Sequence, residues 1–178
     1  MEIRRILVPY DSSEFSENAL DYAVYLANTF FKSNPKRQSI RIIILHVIQE
    51  LPLTKSVLDK MTSMYKDEKP SLDKCIASTY QEIRNLIEED IEKKKQKYRS
   101  IEGIHIESVI IYGDPSNQIV EYANKNQVDM IIIGSNGLQG IAKIKALGSV
   151  TRKVSEIVEC PIVIIRRQFS SSFQRISN

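Results

Sequence analysis

Little in this chain supports metal or thiol chemistry. Only two cysteines occur in 178 residues, Cys75 and Cys160, and neither belongs to a CxxC pair. The two histidines, His46 and His105, each lie in a strand-like run without a second ligand nearby. Zinc binding and thiol redox chemistry therefore have no pattern to rest on. Charge of one sign is also scarce. The formal net charge is +3, and the basic residues are interleaved with acids, as in "IEEDIEKKKQKYR" (residues 87–99). That pattern reads as a solvated helix face, and no nucleic-acid partner is expected. No apolar run approaches the length of about eighteen residues that a membrane helix requires. The opening "MEIRRILVPYD" has no apolar stretch of signal-peptide length. The expectation is a cytoplasmic protein with reduced thiols and no membrane partner. Glycine is sparse too: there are six, and four of them fall within Ile131 to Val150, "IIIGSNGLQGIAKIKALGSV".

With 42% hydrophobic and 26% charged residues, the composition is that of an ordinary globular protein rather than a disordered or fibrous one. The length fits one domain, placed at residues 1–167, with a frayed serine-rich tail at 168–178. Within the domain, apolar runs alternate with amphipathic stretches. Ile3 to Val8 reads as a first strand ended by Pro9. A helix comes next, with Phe15, Ala19, Tyr22, Leu26 and Phe30 as its apolar stripe; Asp11 and Glu14 resemble a capping box. Ile40 to Ile48 is a second strand. Residues 49–73, bracketed by Pro52 and Pro70, form a weakly periodic insert that is long for a connection and reads as an extra hairpin, a lid or a loop. A long helix from about Leu72 to Arg99 carries Ile76, Tyr80, Ile83, Ile87 and Ile91 at helical spacing. Ile104 to Tyr112 is a third strand. Gly113-Asp114-Pro115 then supplies a turn, a cap and a first-turn proline for a short helix reaching about Asn126. Met130 to Ile133, a helix over Ser149 to Val158, and Ile162 to Ile165 complete the pattern. Strands separated by helices imply one α/β domain with a parallel sheet covered on both faces.

Ligands of open parallel sheets bind beyond the carboxyl ends of the strands, where crossovers diverge. Gly134 lies past strand four, and Pro9, Tyr10 and Asp11 lie past strand one. Glycines let backbone N–H groups converge on an anion and permit positive φ. Gly148-Ser149 opens a helix, whose first N–H groups and dipole favour an anion. The same glycines also suit a plain strand-to-helix turn, and the residues alone leave both readings open. Lys143, Lys145, Arg152 and Lys153 are either support for an anion or solvated helix residues. No GxxxxGK[ST] motif is present, and no GxGxxG follows the first strand, so P-loop and dinucleotide enzymes are not indicated.

Four stretches together resemble the universal stress protein family: "RRILVPYDSSEFSENALDYAVYLA", "IILHVI", "YGDPSNQIVEYANKNQVDMIIIGSNG" and "LGSVTRKVSEIVECPIVII". The resemblance spans most of residues 2 to 167. It implies a doubly wound five-stranded parallel sheet in the order 3-2-1-4-5, and homodimers paired through the last strand, "CPIVIIRR". One branch of that family binds ATP through a signature of Gly-x-x-Gly, nine residues, then Gly and Ser or Thr. Gly134 and Gly137 match its first half, and Gly148 and Ser149 its second. Ten residues, one more than the pattern, separate Gly137 from Gly148. Within a helix that residue would turn the downstream chain by about 100° and shift it about 1.5 Å; within a loop it would bulge out.

The resemblance further places Pro9, Tyr10 and Asp11 at the site, with Asp11 near the ribose or near Mg²⁺ or Mn²⁺ on the phosphates. Alone, Asp11 reads equally as a helix N-cap. Val47 would offer backbone groups to adenine; without the family it is a core strand residue. Gly148, Ser149 and Val150 would give N–H groups to the phosphates. The implied function is ATP binding in stress response or regulation, with occupancy altering the surface for an unknown protein partner. AMP or cyclic AMP as ligand, and a nucleotide-free dimerisation module, are the alternatives. Phosphoryl transfer needs groups that position a nucleophile and stabilise charge. No catalytic residue is named for either role, so at most slow ATP hydrolysis is expected.

Overall fold

The computed structural model of the chain describes residues 3–33, 39–49, 69–136 and 147–166. Strands and helices alternate: β1 (Arg5–Pro9), α1 (Glu14–Ser33), β2 (Ile40–Ile48), α2 (Lys69–Tyr98), β3 (Ile104–Tyr112), α3 (Pro115–Lys125), β4 (Met130–Gly134), α4 (Ser149–Ile157) and β5 (Ile162–Ile165). The five strands form one parallel sheet in the order β3-β2-β1-β4-β5, as expected. The first strand begins two residues later than the apolar run indicates, and β4 extends through Gly134. The last five residues of the insert read from 49–73 belong to α2, because Pro70 in the first helical turn needs no N–H partner. Residues 50–68 and the tail 168–178 lie outside the described residues.

Each face of the sheet buries its own apolar cluster. On one, Ile6, Val8, Ile42, Ile44 and Ile132 pack against Ala19, Leu20, Ala23, Val24 and Ala27 of α1 and Ile91 and Tyr98 of α2. On the other, Leu7, Ile43, Leu45, Ile131 and Ile133 meet Ile119, Val120 and Ala123 of α3 and Val154 of α4. Each fully buried Ile or Leu contributes about 1.5–3 kcal/mol. This double coverage explains why β2 and β4 lack polar alternation. It also corrects the stripe expected for α1. The line that seats the helix is Ser16, Ala19, Leu20, Ala23, Val24, Ala27 and Asn28, whereas Phe15, Tyr22, Leu26 and Phe30 are only partly buried along its flanks. Small residues dominate because the helix lies close to the sheet. Among the described side chains of α2, those buried lie in the last turns: Ile91 and Tyr98 are buried, but Ile83 and Leu86 are exposed. Polar ties complete its docking on α1. Lys94 Nζ meets Glu17 at 2.6 Å and Lys97 Nζ meets Asp21 at 3.2 Å, while the Tyr98 hydroxyl also donates to Asp21.

A close backbone approach occurs where α1 begins. A Cβ placed on Gly134 would lie 2.7 Å from the Phe15 carbonyl carbon and 2.8 Å from its oxygen. Backbone cannot yield as a side chain does, so Gly134 is required by packing. Positive φ is not the reason: among the described glycines only Gly103 and Gly113 adopt it. Replacing Gly134 with Ala is expected to destabilise the protein by about 1–3 kcal/mol, read as a lower urea midpoint with unchanged slope.

Candidate functional site

β1 pairs with β2 through Pro9↔Leu45, but its register with β4 runs only through Ile6↔Met130 and Leu7↔Ile131. Past Leu7 the two strands part. α1 leaves toward one face of the sheet and α4 toward the other, which opens a crevice at the carboxyl ends of β1 and β4. Gly134, Ser135 and Asn136 form one wall. Pro9, Tyr10 and Asp11 form the other.

The far side of the first wall is supplied by the start of α4. Gly148 N–H donates to Ser135 O at 2.8 Å, and Thr151 Oγ1 donates to Gly134 O at 2.8 Å. The two halves of the glycine signature are thereby joined. Gly148 caps α4 at φ −58°, ψ 154°, an extended conformation open to any residue. Its need for smallness is spatial: a Cβ there would meet Asn136 Cα at 3.3 Å and Ser135 O at 3.4 Å. Gly148 makes no side-chain cap, and the first turn of α4 has no acidic residue. The first helical bond is Arg152 N–H to Gly148 O, so the N–H groups of Ser149, Val150 and Thr151 precede the intrahelical ladder. Gly137 lies outside the described residues. The extra residue between Gly137 and Gly148 falls within residues 138–147, of which all but the last lie outside the described residues. Of the nearby cations, Lys153 Nζ is 3.6 Å from Asp114 at the cap of α3, and Lys143 and Lys145 lie outside the described residues.

Val47 is half-buried near the end of β2. Tyr10 N–H donates to Leu45 O at 2.9 Å, whereas Gly113 N–H donates to Ile48 O at 3.1 Å. The alternation of the strand therefore turns the N–H and C=O of Val47 toward the β1 side, one step past the end of β1. A donor and an acceptor face the crevice mouth side by side.

Asp11 is not the N-cap of α1. Ser13 is: its Oγ accepts from Ser16 N–H at 3.2 Å. Asp11 Oδ1 instead accepts from Ser13 N–H at 3.1 Å and Ser13 Oγ at 2.6 Å, an Asx turn that shapes the β1–α1 loop. The Tyr10 side chain points into the α1–α2 core at 3% exposure. Its hydroxyl donates to Asp90 at 2.8 Å, and burial, then the Asp90 carboxylate, pushes its pKa strongly upward. Asp90, Ser13, Ser135 and Thr151 were not signalled by the sequence. Asp90 lies 80 positions from Tyr10, and short hydroxyl residues carry no periodic pattern.

The family model described as universal stress protein family matches residues 2–166. The chain belongs to the universal stress protein family. Universal stress protein YxiE of Bacillus subtilis is 32% identical over 162 residues, covering 91% of this chain and 98% of that protein. The solved structure of MJ0577, from Methanocaldococcus jannaschii, superposes with a TM-score of 0.70 at 25% identity, covering 96% of this chain and all of the other. A universal stress protein family protein from Arabidopsis thaliana, solved with AMP bound, gives a TM-score of 0.52 at 18% identity over 95% of both chains, a likeness of fold. The crevice of the present chain lies between β1 and β4, whose following helices α1 and α4 cover opposite faces of the sheet.

His46 borders this crevice on β2. Its Nδ1 is buried without a hydrogen-bond partner, and burial lowers its pKa, offset in part by Asp11, the Tyr10 backbone and Asp90. The neutral ring is therefore favoured in the fold. Its contribution to stability is complete above the unfolded value of about 6.5 and is lost as pH falls through the lower folded value. Thermal melts from pH 7 to pH 5 are expected to show a steeper loss for the parent chain than for His46→Asn.

Proposed function

We propose that this universal stress protein binds an adenine nucleotide, ATP with Mg²⁺ or Mn²⁺, in the β1–β4 crevice, and that occupancy alters its surface for a protein partner. The observation that carries this reading is the junction of Gly134–Asn136 with the uncapped, acid-free start of α4. Ser149 and Val150 offer N–H groups at the positive end of the helix, the arrangement that suits a phosphate. Smallness at Gly134 and Gly148 keeps this wall close to backbone. The N–H and C=O of Val47 fit the edge of an adenine ring. Pro9 and the Tyr10 backbone line the opposite wall, and Asp11 is the carboxylate available to a ribose or to a phosphate-bound ion. Among the described residues, no group of three His, Cys, Asp or Glu side chains could hold a metal ion.

Dimerisation through β5 belongs to the same reading. Ile162–Ile165 pairs with β4 on one side, and all four residues are only partly buried in the single chain. No strand covers the other side among the described residues. An apolar edge of this kind is a liability unless paired, and a second copy of the chain fits it. A cytoplasmic location accords with this reading; no described helix is long and apolar enough to cross a membrane.

Freshly purified protein, denatured and chromatographed, is expected to release adenine nucleotide near one per chain, which also counts its phosphates. Failure of millimolar ATP with Mg²⁺ to give either heat of binding or a higher melting temperature would refute the assignment. Sedimentation is expected to show a dimer that Ile164→Pro converts to monomer. Ile165 O and Pro161 O face β4, so Ile164 N–H points to the free edge. A parent chain that sediments as a monomer at all concentrations would remove the dimer.

A further inference from the structure

The β1–α1 loop carries Asp11 between two residues that are both tied to α2. Tyr10 Oη and Ser12 Oγ each donate to the same oxygen of Asp90, Oδ2, at 2.8 Å. They flank Asp11 in sequence, one on each side. Ser12 adopts φ +61°, a left-handed conformation that a residue with a Cβ holds only when its surroundings fix it. Tyr10 is buried, and a buried hydroxyl without a partner is strongly unfavourable. Both requirements converge on one carboxylate, 78 and 80 positions away in the chain.

We propose that Asp90 is a positioning residue for the nucleotide site: by receiving Tyr10 and Ser12 it sets the β1–α1 loop in the conformation that presents Asp11, and so couples α2 to ligand binding. The proposal rests on the nucleotide reading above. It does not depend on Asp90 seating α2 itself. That helix is docked independently by Ile91 and Tyr98 in the core and by Lys94 and Lys97 on Glu17 and Asp21. His46 faces the same group of charges, with Asp11 and Asp90 both acting on its ring. The loop thus has three contributors from outside its own sequence: β2 through His46, α2 through Asp90 and α1 through Ser16, whose Oγ accepts from Asp11 N–H at 3.3 Å.

The test is Asp90→Ala beside Asp90→Asn, on the full chain. Amide exchange is measured first, without ligand. In Asp90→Ala the amides of residues 11–13 are expected to exchange about tenfold faster, with the last turns of α2 unchanged. Unchanged protection of the loop would overturn the positioning role whatever the ligand. Titration with ATP and Mg²⁺ comes second. Loss of a hydrogen bond to a charged group corresponds to about tenfold weaker binding for Asp90→Ala, with Asp90→Asn intermediate because its amide oxygen can still accept. In an Asp11→Ala background the Asp90 substitution is expected to have no further effect on affinity, since its action passes through Asp11. Equal effects in both backgrounds would mark Asp90 as a general support and overturn the proposal. A parent chain that binds no ATP would instead fell the nucleotide reading, and the exchange result would then decide the loop on its own.

Discussion

The separation of β1 from β4 beyond Leu7 is the constraint on which the site depends. Up to that residue the two central strands pair with one another; past it, only the pairing with their outer neighbours continues. Tyr10 N–H turns to Leu45 of β2, and Ser135 N–H turns to Ile165 of β5 at 2.8 Å. β1 stays paired with β2 to Pro9, and β4 with β5 to Gly134, on either side of the gap. Crossovers on opposite faces keep it open, because α1 and α4 cannot both fill the same space.

The glycines illustrate how two demands share one residue. At Gly134 the requirement is the Phe15 backbone lying against it; at Gly148 it is the proximity of Ser135 and Asn136. Neither position uses a positive φ. Both leave the chain compact where the α4 amides are exposed, so a packing role and a binding role coincide. A glycine retained at either position is therefore no proof of a ligand by itself. The acid-free, uncapped start of α4 discriminates further, since a helix end without side-chain caps favours an outside acceptor.

Polar burial on the α1–α2 side has a different character from the apolar layers around it. Tyr10 and Ser12 share the Asp90 carboxylate at the top of an aliphatic core, with Asp11 and His46 close enough to feel its charge or each other's; Tyr10 is buried, Asp11, His46 and Asp90 are half-buried and Ser12 is exposed. Such groups are costly when partly satisfied, and the unpartnered Nδ1 of His46 shows that this one is. Because Asp11 sits in the middle, its geometry is set by α2 and β2 as well as by its own loop. The arrangement links the outer helix to the crevice through side chains rather than through backbone.

Much of this was legible in the sequence. Unbroken aliphatic runs in β2 and β4, the Gly113-Asp114-Pro115 start of α3 and the spacing of the helices dictate a covered parallel sheet, since each pattern has one inexpensive way to bury its apolar groups. Asp114 caps α3 as its chemistry dictates, accepting from Asn117 N–H at 2.9 Å. Pro9 and the glycines were marked by their places past the strand ends and before a helix, and Val47 through its resemblance to a known family. The capping of α1 was not, because Asp11 and Ser13 are both good caps and only their depth decides between them. The central line of α1 was misplaced for a related reason: aromatics raise the apolar signal, yet alanines permit the closer approach. Tertiary structure alone decided that Gly148 meets Ser135, that Asp90 reaches Tyr10 and Ser12, and that β1 and β4 part after Leu7. Those contacts join residues far apart in the chain, and local propensity carries no information about which distant carboxylate a buried hydroxyl will find.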